Sequence, residues 1–158
     1  MPHPKATLII SVYKDTEALG FIFDSLDRQT LAPNEIIISE DGDSPEMAKF
    51  VASQKNRFPN LVHLTQEDDG WRKNIAMNNS IKAAKNEYLI FIDGDCIPYS
   101  TFIQGHIENA QKRKVLCGKR FELGARFTDK IKNHLLTLLD LEKKFLWHLP
   151  WMVKDGAR

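Results

Sequence analysis

The sequence predicts an α/β protein, a mostly parallel sheet with helices packed on both faces. Three observations carry that expectation. Short runs of Ile, Leu and Val, of strand length and without a polar face, recur along the chain, as in strands buried on both sides. Between them lie segments with apolar residues at helical spacing, opened by residues that cap helices. The two kinds of segment alternate, and a return to a parallel strand needs a crossover, which is right-handed almost without exception.

The first run, Ala6 to Val12, follows a Pro-containing leader and reads as a strand. Asp15 or Thr16 can cap a helix whose Leu19, Ile22, Phe23 and Leu26 recur at helical spacing, with Pro33 beyond its end. Ile36-Ile37-Ile38 gives the second strand, and Ser44-Pro45 starts a helix carrying Met47, Phe50 and Val51. Leu61 to Leu64 gives a third strand, and a helix from about Trp71 to Lys85 leads into Tyr88 to Ile92, the most strongly apolar strand. After Pro98 a helix bears Phe102, Ile103, His106 and Ile107; a strand is expected at Val115 to Phe121 and a helix from Phe127 to Leu146. Trp71, Met77 and the aromatics of the first helix are expected in the core. Asn78 falls on the apolar side of its helix, where an unsatisfied amide costs about 1–3 kcal/mol, so it is expected to bond to neighbouring backbone.

Composition narrows the class. The chain has 158 residues, fits one domain and carries a net charge of +1, unevenly placed. Residues 1–111 hold 10 basic and 16 acidic side chains, and residues 112–158 hold 12 and 5. A basic segment can meet phosphate, an anionic membrane or nucleic acid, but a solvated face is its commonest use, and no nucleic-acid partner is expected. Cys96 and Cys117 lack metal-ligand spacing, and no basic leader with an apolar run opens the chain, so a cytoplasmic location is expected. Lys143 and Lys144 interrupt the one long apolar region, which leaves only surface contact with the inner face of a membrane.

Ligands of such sheets bind beyond the carboxyl ends of the strands, at a switch in strand order. The four strand ends are Ser11-Val12-Tyr13, Ser39-Glu40-Asp41-Gly42-Asp43, Glu67-Asp68-Asp69-Gly70 and Asp93-Gly94-Asp95. Three of them are strongly acidic. Each cluster alone could merely cap a helix or solvate a turn. Carboxylates converging on one rim repel unless a cation compensates, and Mg²⁺ or Mn²⁺ prefers oxygen ligands while keeping sites for water and substrate phosphate. A diphosphate-bearing substrate fits that arrangement.

The motifs Ile9-Ile10-Ser11-Val12-Tyr13, Glu35 to Gly42, Gly70-Trp71-Arg72-Lys73 through Asn78-Asn79-Ser80-Ile81, and Glu87 to Asp95 occur in this order. Together they resemble the inverting glycosyltransferases of family two, whose GT-A fold binds nucleotide-diphosphate sugars across a Rossmann-like sheet with an Asp-x-Asp motif. The resemblance implies that Asp95 is a ligand of Mn²⁺ or Mg²⁺ and that Asp93 touches the ribose or a metal-bound water. It further implies that Asp41 accepts the imide hydrogen of uracil, that Ser11 and Tyr13 line the same pocket, and that Arg72 contacts the nucleotide. The donor would be a UDP-sugar and the acceptor a saccharide or a lipid-linked group.

The chain departs from that family after Phe121. The family's general base lies on an acceptor-side segment, and none of Glu122, Asp129, Asp140, Glu142 or Asp155 stands in matching context. The expectation is a donor-binding α/β domain over 1–125 and, over 126–158, a helical segment of an incomplete acceptor side. Its catalytic residues are unassigned. Ile131, Leu135, Leu138, Leu141 and Phe145 form one stripe if the segment is a single helix, with Trp147 and Trp151 following. Residues 131–153 would pack against an acceptor subdomain or instead serve peripheral membrane contact or self-association. Two rival classes are weaker. A haloacid-dehalogenase-type phosphatase places its Asp-x-Asp strand early, whereas three βα units precede it here. A nucleotidyltransferase needs a Gly-rich loop where Ser11 to Asp15 stand. A non-catalytic nucleotide-sugar-binding remnant is the third alternative.

Overall fold

A computed structural model describes residues 3–157 and divides them into two units between Leu116 and Cys117, ahead of the 125/126 boundary expected from the sequence. The first unit is built on four parallel strands in the order β3-β2-β1-β4: β1 (Ala6–Val12), β2 (Glu35–Glu40), β3 (Leu61–Leu64) and β4 (Tyr88–Asp93). β1 sits between β2 and β4, so the order reverses beside it. All seven residues of β1 but Ser11, and all six of β2, are buried, which accounts for their lack of a polar face.

Helix α1 (Thr16–Leu26) is capped by Asp15, whose Oδ1 accepts from the Ala18 N–H at 2.9 Å. Helix α2 (Pro45–Gln54) begins with proline after the Ser44 cap, where the missing N–H costs nothing. α3 (Lys73–Ala83) and α4 (Phe102–Glu108) complete the unit. Phe23, Leu19 and Ile22 of α1 and Met47 of α2 are fully buried with Leu8, Ile10, Ile36 and Ile38 of the sheet.

Four sequence expectations are corrected. β4 is an edge strand in which only Ile90 is buried and Phe91 is 43% exposed, because apolar content does not reveal whether a neighbour lies on both sides. Val115 to Phe121 is not a strand: Val115 is 87% exposed, and among the described residues no ladder pairs with this stretch. Asn78 lies on the exposed side of α3, which buries only Ala76 and Ser80 against the sheet. Trp71 stands on the loop before α3, 90% exposed.

In the second unit the expected long helix is three: α5 (Ala125–Lys132), α6 (Leu138–Lys143) and α7 (Phe145–Lys154). The chain leaves helical geometry at Asn133 and His134, the latter at φ 56°, so Ile131 is buried while Leu135 is 78% exposed and the stripe is broken. Phe127, Met152 and Ala157 form the unit's small core, flanked by Phe121, Leu123, Leu136, Leu141, Phe145 and Leu149. Asp155 closes it by accepting from the Phe127 N–H at 3.1 Å.

Candidate functional site

At the carboxyl ends of β1 and β2 lies a cleft of about 380 Å³, lined by Ser11, Val12, Tyr13, Asp41, Gly70, Trp71 and Lys73. It lies at the carboxyl ends of the strands, where ligands of open α/β sheets collect. Parallel register explains the convergence: Ser11 lies opposite Ser39 on one side and Asp93 on the other, so all three strands end level. Gly94 then turns the chain tightly over β1. A Cβ there would sit 2.8 Å from the Ser11 carbonyl oxygen, so the glycine is required by close approach.

Asp41 is 4% exposed and fully engaged on its protein side. Its Oδ1 accepts from Gln66 Nε2 at 2.7 Å and its Oδ2 from the Arg72 N–H at 2.9 Å, which ties the end of β2 to the loop before α3. Gly70, at φ 74°, gives that loop its turn. Carboxylate oxygens carry further lone pairs, so Asp41 can still accept from a ligand in the cleft it lines. Glu40, its neighbour in sequence, points the other way. It is fully buried, accepting from the Ser44 N–H at 3.0 Å and meeting His63 Nε2 at 2.8 Å. The acidic run after β2 is therefore divided between the core and the cleft.

The Arg72 guanidinium is folded onto its own loop. It donates to the Glu67 carbonyl at 3.0 Å and pairs with Asp69 at 3.2 Å, and Arg72 is not among the cleft-lining residues. Its buried Nε has no hydrogen-bond partner in the structure. Tyr13 is 54% exposed, with its hydroxyl 3.5 Å from Asp68. Lys14, at φ 55°, carries its ammonium across the Tyr13 ring, 4.7 Å from the centroid, to Asp68 at 2.6 Å. The hydrogen bond to Asp68 raises the pKa of Lys14, and the same bond lowers that of Asp68, so both are charged at neutral pH.

Asp93 pairs with Lys73, the cationic side chain that lines the cleft. Sequence reasoning did not single out Lys73, although it ends the Gly70 to Lys73 motif, and the signal was its place one residue after Arg72 at a helix start. Asp95 is exposed, and among the described residues it has no cationic partner. Ligand atoms of Asp93, Asp95 and Cys96 lie within 4.8 Å of one another. The Cys96 thiol donates to Asp95 at 3.4 Å, and burial, with the adjoining carboxylates, pushes its pKa up, so it stays protonated. The two carboxylates, Asp93 and Asp95, are oxygen donors that fit a hard divalent cation.

The sheet, with its cleft at the carboxyl ends of the strands, is of the GT-A type. The chain belongs to glycosyl transferase family 2, whose model matches residues 7–155. It is 30% identical over 112 residues to EpsJ of Bacillus subtilis (strain 168), an uncharacterised glycosyltransferase, covering 71% of this chain and 32% of EpsJ. Among solved structures it is similar to S. aureus TarS 1-349 in complex with UDP, with a TM-score of 0.58 and 19% identity over 64% of this chain and 30% of that one. It is also similar to the mannosyltransferase PcManGT of Pyrobaculum calidifontis in complex with GDP-Man and Mn²⁺, with a TM-score of 0.52 and 20% identity over 63% of this chain and 30% of that one. The chain spans about a third or less of the length of the curated relatives it matches. Among the described residues no helix is long and apolar enough to cross a membrane.

Proposed function

We propose that this chain binds a nucleotide-diphosphate sugar, in the first instance a UDP-sugar, and serves transfer of the sugar with inversion to a saccharide or lipid-linked acceptor. One observation carries the reading: Ser11, Tyr13 and Asp41 line a single cleft at the carboxyl ends of β1 and β2, with Asp93 and Asp95 at the end of β4, which pairs with β1. Tyr13 offers a ring to the base, Asp41 an acceptor to the uracil imide, and Ser11 a hydroxyl to the same pocket. Asp93 and Asp95 would hold Mn²⁺ or Mg²⁺, which neutralises charge on the leaving diphosphate. Arg72 braces the loop and presents its backbone N–H to Asp41, so its contribution to the nucleotide is through Asp41. Inversion needs an acceptor hydroxyl in line behind the anomeric carbon and a base within hydrogen-bond reach. That base is assigned to none of the described residues. The UDP and GDP-Man complexes of the structural neighbours support the donor class.

Calorimetric titration of UDP tests the reading. Affinity in Mn²⁺ is expected to be at least about ten-fold above that in chelator, since charge neutralisation on the diphosphate is lost without the ion. Equal affinities would refute the metal-assisted donor site.

The second unit supports a separate role at an anionic membrane surface. α7 is apolar on both sides: Phe145, Leu149 and Met152 pack inward, while Leu146, Trp147, Trp151 and Val153 are 81%, 77%, 61% and 57% exposed. Lys143, Lys144 and Lys154 flank the outward side, the pairing of Trp and Lys that suits a headgroup region. The protein is expected to sediment with phosphatidylserine vesicles and not with phosphatidylcholine ones, and a Trp147→Ser, Trp151→Ser variant to remain in the supernatant. Lipid-independent self-association through the same residues would overturn this assignment.

A further inference from the structure

We infer that Lys73 is an exchangeable counter-cation: it holds Asp93 in the empty site and turns to the diphosphate when the site is loaded. The inference rests on the nucleotide-diphosphate reading above and adds to it a residue and a coupling between two ligands. Around the cleft, Lys14 pairs with Asp68 at 2.6 Å, and Arg72 with Asp69 at 3.2 Å and the Glu67 carbonyl at 3.0 Å, and neither cation lines the cleft. Lys73 is the one cation among the lining residues, and its partner is Asp93, half of the proposed metal-binding pair. A divalent ion held by Asp93 would sit beside the ammonium already on its Oδ1, and the two cations repel, so they compete.

The competition is easily resolved in favour of the divalent ion. Lys73 and Asp93 are 31% and 48% exposed, and an ion pair so open to water holds weakly. Lysine also suits the exchange, being a compact charge on a flexible four-carbon stem without the fixed fork of arginine. When Asp93 turns to a divalent cation, Lys73 is left with its charge uncompensated at the cleft wall, beside the place the diphosphate would occupy. Lys73 is the first residue of α3, so the free N–H groups of that helix start add to the attraction for an anion. Before loading, the same lysine screens the repulsion between Asp93 and Asp95 and keeps the strand end in order without metal.

The test separates the two roles by their opposite signs. In Lys73→Met, Mn²⁺ titrated alone is expected to bind about two- to five-fold more tightly, because a weak competitor has gone. UDP titrated at saturating Mn²⁺ is expected to bind about ten- to a hundred-fold more weakly, and UMP, which lacks the second phosphate, to lose less. Lys73→Arg should recover part of the UDP affinity. A purely structural lysine would move both ligands in the same direction or neither. Mn²⁺ affinity that stays the same or falls in Lys73→Met, or equal losses for UDP and UMP, would overturn the inference. A wild-type protein that binds neither Mn²⁺ nor UDP would instead remove the donor-site reading itself, so the two failures are distinguishable.

Discussion

Asp95→Asn is expected to remove the metal dependence of UDP binding. The substitution keeps the shape of the side chain but not its charge, and a cation facing Asp93 alone must also displace Lys73. Loss of outer partners of a metal site already costs 10–100-fold in affinity, so loss of a carboxylate that would itself hold the ion should cost at least about 100-fold for Mn²⁺. UDP affinity measured in chelator should not change, because Asp95 is exposed and is not among the residues that line the cleft. The local structure should also survive: the Cys96 thiol that donates to Asp95 at 3.4 Å retains an amide oxygen as acceptor. Calorimetry of wild type and variant, each with Mn²⁺ and with chelator, checks all of this. A variant that still gains affinity from Mn²⁺ would move the metal role to another carboxylate.

Asp41→Ala is expected to weaken UDP by about ten- to a hundred-fold, the worth of a hydrogen bond to a charged group, while weakening inorganic pyrophosphate far less. The structure adds a second effect. The carboxylate accepts from Gln66 Nε2 and from the Arg72 N–H; in the variant the Arg72 N–H is left unmet, while Gln66 Nε2 keeps only the Arg72 carbonyl at 3.2 Å. Stability should therefore fall by about 1–3 kcal/mol, read as a lower urea midpoint. Asp41→Asn separates the two effects. Its amide oxygen still serves one of the two protein donors, but its NH₂ faces the other and meets the uracil imide with a donor. Asn should recover part of the stability and little of the UDP affinity. Equal losses of UDP and pyrophosphate in both variants would make Asp41 a brace of the loop only.

Where pattern and burial coincide, the sequence could be read directly. Ala6–Val12 and Ile36–Ile38 are strands because their unbroken aliphatic character requires cover on both faces, and the structure buries them so. Asp15 and Ser44 announced their helices because a cap acts within three residues of itself, a distance at which sequence and space are nearly the same. Three of the four motifs supply the residues that line the cleft, since parallel strands of similar length end level and place their following loops on one rim.

Other features were decided only by partners distant along the chain. Glu40 and Asp41 are adjacent and chemically alike, yet His63 and the Ser44 N–H draw one into the interior while the other faces the cleft. The family resemblance gives Arg72 a contact with the nucleotide, and the structure shows its guanidinium paired with Asp69 and donating to the Glu67 carbonyl, partners that the motif alone does not reveal. Lys73 gained its significance from Asp93, twenty residues later, through a contact that depends on how α3 lies against the sheet. The apolar run 131–145 broke into shorter helices because His134 takes a left-handed conformation, which hydrophobic spacing does not encode. The sequence by itself thus determined the strands of the central sheet, the starts of the first two helices and the family. Tertiary structure decided which charges are spent on one another and which face the cleft, because electrostatic pairing acts through space between residues that the order of the chain does not bring together.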